Sequence, residues 1–370
     1  MVTHCLKKMK ILHLTPHLGG GVGEVIRSYL KYAQKDEEIK HSIAVLEDIN
    51  IESKKILKEI NIDFFEHAYQ DKEILDALIK DQDIVLIHWW NHPLLQEFIM
   101  NSTLPPNRSV IWSHISGNQA PNVFNPFILQ YPDTFIFTTP LSSTQPSVIS
   151  SKTQTNTKTI WSTVGSELLY SKYKDLINHS EKKSNAIGYI GNLDSTKLSP
   201  KIDDILKHKK LVEKKFVFVG PSTEHFINLI SRHSKIDIKV TNYVPEDVKF
   251  EYLNDFSIFA YPLAMEHYGT CDQALQEAMV FKKPIVAFTN PMESHMIRHR
   301  ITGLLADDVN SYVDMAMELL TDQKISIQLG EAAHEYALEN FSMKSMYESW
   351  KSVFEQLIDV PKSAKNSLSV

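Results

Sequence analysis

Cysteine is nearly absent. Cys5 and Cys271 are the two in 370 residues, too few for a disulfide framework and in no C-x-x-C pair that would hold zinc. A reducing, cytoplasmic setting is therefore expected. No apolar run approaches the roughly 18 residues that span a bilayer. The start MVTHCLKKMK lacks the apolar region of a signal peptide. Because MKILHLTPHLGGG reads as a natural amino terminus, Met9 is the expected initiator and the first eight residues are expected to be dispensable. Basic clustering is also missing: 39 Lys and Arg stand against 45 Asp and Glu, scattered, for a net charge of −6. That balance gives no electrostatic footprint for nucleic acid.

What is present is an alternation of short apolar runs with helical patterns, over a length that calls for about two domains. The first half offers strand-like runs at 10–16, 41–46, 63–67, 83–88, 109–115, 134–139 and 159–163, with helical patterns at 52–60, 72–80 and 142–149 between them. A polar, irregular stretch at 166–185, ending in HSEKKSN, reads as a linker. The alternation restarts with 186–190, 216–219, 237–240 and 257–261. Strands apolar along their whole length are covered by helices on both faces, so the fold class is α/β, with two doubly wound, Rossmann-like domains at 9–165 and 186–340. A final helix, 341–360, carries Met343, Met346, Trp350, Val353, Phe354 and Leu357 on one face, and that stripe needs a partner in its own domain or in the first. The remaining residues, 361–370, read as a disordered tail.

Three stretches carry chemistry. Gly19, Gly20, Gly21 and Gly23 follow the first strand and open a helix, a loop able to bring backbone N–H groups near an anion or a sugar. It is not G-x-G-x-x-G, and no P-loop lysine follows. The strand 83–88 ends in HWWNHP, where Trp89 or Trp90 suits stacking on a sugar ring. His88 and His92 would pair on a metal only along a helix, which Pro93 opposes. The segment Tyr261 to Asn290 reads strand, loop, helix, strand. Its loop holds Glu266, His267, Gly269 and Thr270, and its helix holds Glu277. Such a loop lies at the carboxyl end of a parallel sheet, where α/β folds bind ligands, and the helix amino end suits a phosphate.

The segments LTPHLGGGVGEV, VIWSHISG, GYIGNLDSTKLSP, EHYGTCDQALQEAM, NPMESHMIRHRITGLL and FSMKSMYESWKSVF, in that order and spacing, resemble the GT-B glycosyltransferases, specifically the family 4 retaining glycosyltransferases, over nearly the whole chain. The resemblance implies transfer of a sugar from a nucleotide-sugar donor to an acceptor hydroxyl, with retention of configuration and with no metal or other cofactor required. It implies two domains facing across a cleft, donor on the second and a glycan or lipid-linked acceptor on the first. Surface polysaccharide or glycolipid synthesis is the expected setting, at the inner face of a membrane touched peripherally through the acceptor. By the same resemblance Glu277 holds the ribose hydroxyls and Glu266 touches the donor sugar. Gly269 and Thr270 meet the diphosphate through backbone N–H groups, and Lys197 neutralises phosphate charge as the nucleoside diphosphate leaves. Gly20 and Gly21 close over the donor and acceptor side, His114 lies near the reacting sugar, and Glu293 and Gly303 belong to a loop near the nucleotide.

Two departures stand out. Ten residues separate Glu266 from Glu277 where the family has seven, so Asp272, inside the enlarged loop, competes with Glu266 for the sugar-contacting role. The family's arginine five positions before the lysine is here Asn192, which leaves Arg298 or Arg300 to substitute, a donor of lower charge, or weak activity. Other functions compatible with two such domains are a nucleotide-sugar epimerase and a non-catalytic binding protein for a sugar or nucleotide sugar. The glycine loop and the Glu-Ala-Met helix favour the transferase, and the missing export signal disfavours an exported sugar receptor.

Overall fold

A computed structural model describes residues 8–151, 156–178, 184–267 and 269–367. Cys5 and part of the polar loop at 150–158 lie outside them. The chain divides into two compact units: one comprises the residues up to Val164 together with those from Met343 onward, the other Gly165–Ser342.

The strands of the first unit are β1 (Met9–Thr15), β2 (Ile39–Val45), β3 (Asp63–Phe65), β4 (Ile84–Trp89), β5 (Leu104–Asn107), β6 (Ser109–Ser113), β7 (Thr134–Phe137) and β8 (Thr157–Thr159). Seven of these form a parallel sheet in the order β3-β2-β1-β4-β6-β7-β8. The period of two along each strand sorts side chains to two separate cores. Ile11 and Ile43 face a cluster with Tyr29, Leu30, Trp112, Trp350 and Phe354. Leu12, Leu14 and Ile87 face a cluster with Leu95, Phe98 and Phe135. Buried on both sides, β4 and β6 have no exposed residue.

The helix Met343–Leu357 belongs to this first unit. Trp350, fully buried, packs against Trp112 at 4.9 Å between ring centroids and against Phe354 at 5.6 Å. Polar contacts fix the same helix: the Tyr347 hydroxyl donates to Asp36 at 2.6 Å and the Lys351 ammonium at 2.9 Å. The tail expected to be disordered departs from that expectation. Ser363–Lys365 forms a further strand antiparallel to β5, and Lys365 pairs with Asp133 at 2.8 Å, so a short backbone ladder and a buried lysine order a stretch whose composition is polar. Residues 368–370 lie outside the described residues.

The second unit has β9 (Ala186–Ile190), β10 (Lys215–Val219), β11 (Asp237–Thr241), β12 (Ile258–Tyr261), β13 (Ile285–Phe288) and β14 (Leu304–Ala306). They form a parallel sheet in the order β11-β10-β9-β12-β13-β14, the doubly wound sequence of a Rossmann domain. The stretch read as a linker, 166–185, begins instead with a helix, Ser166–Asn178, that belongs to this unit. Its buried residues, Ser166, Tyr173 and Ile177, are sparse among charges, which hid the helical spacing. Tyr173 packs on Phe250 at 4.6 Å between centroids. Residues 179–183 lie outside the described residues.

Asp36 supplies a test of how the last helix is held. Burial would raise its carboxyl, but the hydrogen bonds from Tyr347, Lys351 and the Glu38 N–H lower it to about 2. A depressed folded value means that the contribution is present above the unfolded pKa of about 4 and is lost as pH falls through the folded one. Hydrogen exchange across Met343–Leu357 should therefore accelerate between about pH 4 and pH 2. Asp36→Asn should remove that step, and an unchanged step would contradict the assignment.

Candidate functional site

In the second unit the strand order reverses between β9 and β12, the point at which open α/β sheets leave a crevice for ligands. The loops leaving these strands are stitched together there. The Ala264 N–H donates to the Lys197 carbonyl and the Ser199 N–H to the Pro262 carbonyl, both at 2.9 Å. Leu198 and Leu263 form an isolated antiparallel bridge. The loop after β13 joins them through the Asn290 side chain, which donates to the Leu263 carbonyl at 3.2 Å.

This stitching brings Lys197 and Asp272 together, 75 positions apart in sequence, with Nζ 2.5 Å from Oδ1. They are only 7% and 9% exposed, so solvent and salt screen the pair weakly. Burial alone would raise the Asp272 carboxyl. The Lys197 charge, His267, and hydrogen bonds from Lys197 and Tyr261 outweigh it and hold the carboxyl below the usual range. Tyr261 responds oppositely, since burial and the Asp272 charge push its hydroxyl well above the ordinary value. It stays protonated and donates to the carboxylate. The other carboxylate oxygen, Asp272 Oδ2, is buried without a hydrogen-bond partner among the described residues.

His267 and Glu293 complete the cluster, both buried. The Gly269 N–H donates to His267 Nδ1 at 2.9 Å, which leaves the ring proton on Nε2, 3.0 Å from Glu293 Oε1. His267, Asp272 and Glu293 hold metal-ligand atoms within 4.8 Å of one another. Both His267 nitrogens face protein partners and Lys197 pairs with Asp272 Oδ1, while Asp272 Oδ2 and Glu293 Oε1 are buried with no hydrogen bond from the described residues.

Asp272 is also the N-cap residue of the helix Gln273–Val280, yet its side chain makes no cap hydrogen bond, and the first turn contains no acidic residue. The amino end of that helix thus receives no cap from Asp272, whose carboxylate is turned to Lys197 instead, and this leaves the positive end suited to an anion. Glu277, on the same helix and 7% exposed, accepts from Lys249 at 2.7 Å. Glu266 is exposed in the turn before His267 and Thr270 is half-buried. The Gly269 N–H is engaged by His267 in this conformation. Asn192 is exposed, and its carbonyl accepts from the Tyr189 hydroxyl at 3.0 Å. Of the two arginines considered as substitutes, Arg300 pairs with Glu318 at 3.0 Å and Arg298 lies 4.7 Å from the Tyr336 ring centroid.

In the first unit, Gly20 and Gly21 are exposed at the start of the helix Gly20–Ala33, just beyond β1. Gly20 has φ +63° and a Cβ there would meet nothing, whereas a Cβ on Gly23 would lie 2.1 Å from the Leu18 carbonyl. Gly20 and Gly21 therefore leave open space and Gly23 serves packing. Trp89 is buried, and Trp90 is half-buried edge-on to His17. His114, just past β6, is half-buried; its backbone N–H donates to the Trp89 carbonyl at 2.7 Å and burial lowers its ring pKa to about 3.

Sequence reasoning left Tyr261 and Lys249 without a role and missed the contact of His114 with other histidines. The signal for the latter was present: KILHLTP, HSIAVL and IVLIHWW each carry one histidine. Strand adjacency, which sequence spacing does not give, turns those into neighbours.

Two Rossmann-like domains of these topologies define the GT-B glycosyltransferase fold. Anabaena Alr3699/HepE, solved in complex with UDP, matches with a TM-score of 0.71 at 15% identity, over 94% of this chain and 100% of that one. A TarM variant of S. aureus, in complex with Fondaparinux, alpha-GlcNAc-glycerol and UDP, matches with a TM-score of 0.61 at 18% identity, over 80% of this chain and 60% of that one. Within the sequence, residues 174–336 match the family model Glycosyl transferases group 1. The poly(ribitol-phosphate) alpha-N-acetylglucosaminyltransferase of Staphylococcus aureus (strain COL) is 28% identical over 105 residues, 28% of this chain and 21% of that enzyme. The chain thus aligns with about a fifth of that relative's length.

The buried pair predicts an asymmetry in stability. Lys197→Met leaves the Asp272 carboxylate without its cation and should cost about 3–5 kcal/mol. Adding Asp272→Asn should recover most of that loss in urea denaturation followed on the second unit. The single variant should also gain on wild type as pH falls, because an unpaired buried carboxyl has a raised folded pKa and is stabilised by protonation. A double variant no more stable than the single one would contradict the pairing.

Proposed function

We propose that the protein is a glycosyltransferase that moves a sugar from a nucleotide-sugar donor to an acceptor hydroxyl with retention of configuration, in the synthesis of a surface polysaccharide or glycolipid. The observation that carries this reading is the buried Lys197–Asp272 pair at the strand-order reversal, beside an uncapped helix amino end, inside the region that matches Glycosyl transferases group 1. The S. aureus relative acts, by its name, on poly(ribitol-phosphate), which supports a surface polymer as the acceptor class. The UDP in the Anabaena and S. aureus structures supports a nucleoside diphosphate as the leaving group.

In the reaction the bond from the anomeric carbon to the diphosphate oxygen breaks with its electron pair left on that oxygen, a bond to the acceptor oxygen forms, and the acceptor's proton passes to the departing diphosphate. Negative charge grows on the departing diphosphate. The Lys197 ammonium, fixed by Asp272 before substrate arrives, is preorganised to meet that charge, a kind of stabilisation worth several kcal/mol of barrier. The helix amino end at Gln273 adds to it. Asp272 Oδ2, buried and unpartnered, accepts a hydrogen bond from a donor-sugar hydroxyl, and Glu277, oriented by Lys249, accepts from the ribose. Glu266, exposed in the same loop, is the second carboxylate offered to the sugar, and the family resemblance assigns His114 a place near the reacting sugar.

The test is product analysis. Incubation with nucleotide sugars and glycan or lipid-linked acceptors should release nucleoside diphosphate only when acceptor is present, and proton NMR of the product should show the donor's anomeric configuration. The charge-balanced variant Lys197→Met with Asp272→Asn should keep its fold and lose about 100-fold or more in kcat. Turnover that survives intact in the double variant, or an inverted product, would overturn the corresponding part of the reading.

A further inference from the structure

Four histidines of the first unit form a continuous hydrogen-bonded row across its sheet. His41 Nδ1 lies 3.0 Å from His13 Nε2, His13 Nδ1 2.9 Å from His88 Nε2, and His88 Nδ1 3.1 Å from His114 Nε2. The register explains the row. Ile11 lies opposite His41 on β2, so His13 is one pleat further along β1. Leu14 lies opposite Ile87, and continuing that register by one residue sets His88 one pleat beyond His13. His88 lies opposite Trp112, and His114 is again two residues on. Each step moves one strand sideways and two residues forward, so all four rings share one face and climb it diagonally.

His13, His41 and His88 are buried to 0%, 3% and 0% exposure. Burial lowers the pKa of His13 and His88 well below the usual value, that of His41 to about 4 and that of His114 to about 3. The charged group acting on the row is Asp36, which favours a charged His41 and is outweighed by burial. The titratable tyrosines around it are Tyr29, against His13 and His41, and Tyr347, against Tyr29. The rings are neutral near pH 7, each with one N–H.

Four protons and three contacts leave two arrangements. Either all four rings carry the proton on Nδ1, and His114 turns an N–H outward, or all four carry it on Nε2, and His114 turns a lone pair outward. A mixture sets two lone pairs or two N–H groups face to face and forfeits a buried hydrogen bond, at a cost in the range of 1–3 kcal/mol. The row ends blindly: among the described residues His41 Nε2 is buried without a hydrogen-bond partner, so no proton leaves by that end. The two arrangements are unequal because one buries a bare N–H at that atom and the other a bare lone pair. A closed row of this kind does not conduct protons through the domain; it fixes which hydrogen-bonding sense its open end presents.

We propose that His41, His13 and His88 are positioning residues that lock His114 in a single tautomer, so that the outward Nδ1 meets a sugar hydroxyl in one hydrogen-bonding sense. The identity of that ligand rests on the glycosyltransferase reading; the lock itself does not.

The full chain labelled with nitrogen-15 histidine, studied by long-range proton–nitrogen NMR at pH 7, reads the tautomer of each ring directly. The expected result is one common tautomer in all four, with His88→Leu converting His114 to an average of both tautomers. Mixed tautomers, averaging or imidazolium in any of the four wild-type rings would overturn the proposal, as would a still-fixed His114 in folded His88→Leu. The wild-type spectrum decides even if that variant does not fold. Where turnover is established, His88→Leu should lower kcat about tenfold with the KM for nucleotide sugar unchanged. An unchanged kcat would leave the lock standing and remove its role in the reaction.

Discussion

A lysine and an aspartate taken out of water together must be held in place by the surrounding chain, because the desolvation of both charges offsets much of their attraction. Lys197 and Asp272 come from separate loops, and much of the carboxyl-end architecture of the second unit serves to make them meet. The bridge of Leu198 with Leu263, the backbone bonds from Ser199 and Ala264, the Asn290 side chain and the Tyr261 hydroxyl all converge on that point. The 3-2-1-4-5-6 pattern of the sheet sets where it lies. An unpartnered oxygen and an uncapped helix end beside a fixed cation are costly in a purely structural corner and useful in a site for a phosphorylated sugar.

The first unit solves a different problem with the same sheet design. Parallel strands buried on both faces ordinarily exclude polar side chains, yet β1, β2 and β4 each carry an inward histidine. They are tolerated because each satisfies the next, and because the helix Met343–Leu357 covers that face: Phe354 lies 6.3 Å from His41, and Trp350 lies on Trp112, which in turn packs on His88 and His114. The polar row reaches half-exposed surface at His114 alone. The last helix is therefore part of what keeps the histidines dry.

Much of this was legible in the sequence, for identifiable reasons. Strands such as ILHLT, IVLIHW and SIFAY are apolar along most of their length, and the helix that holds Glu277, Gln273–Val280, is marked by the loop and the strand that flank it. The linker was misread because the buried residues of Ser166–Asn178 are few among charges, and the tail because Ser363–Lys365 is ordered by pairing with β5 rather than by its own composition. Within the candidate site, Asp272 was recognised as a competitor of Glu266, and the structure buries the first and exposes the second. The Lys197 partnership and the histidine row were not legible, since both depend on which strands become neighbours and in what register.

The measurement that bears most directly on the central claim, that the buried pair is the diphosphate centre, is calorimetric titration of nucleoside diphosphates into wild type and into the variant carrying Lys197→Met with Asp272→Asn. The account predicts that one or more nucleoside diphosphates bind wild type and bind the neutral variant at least about tenfold more weakly, the loss of roughly one charge-assisted hydrogen bond. Equal affinity in the two proteins would contradict it.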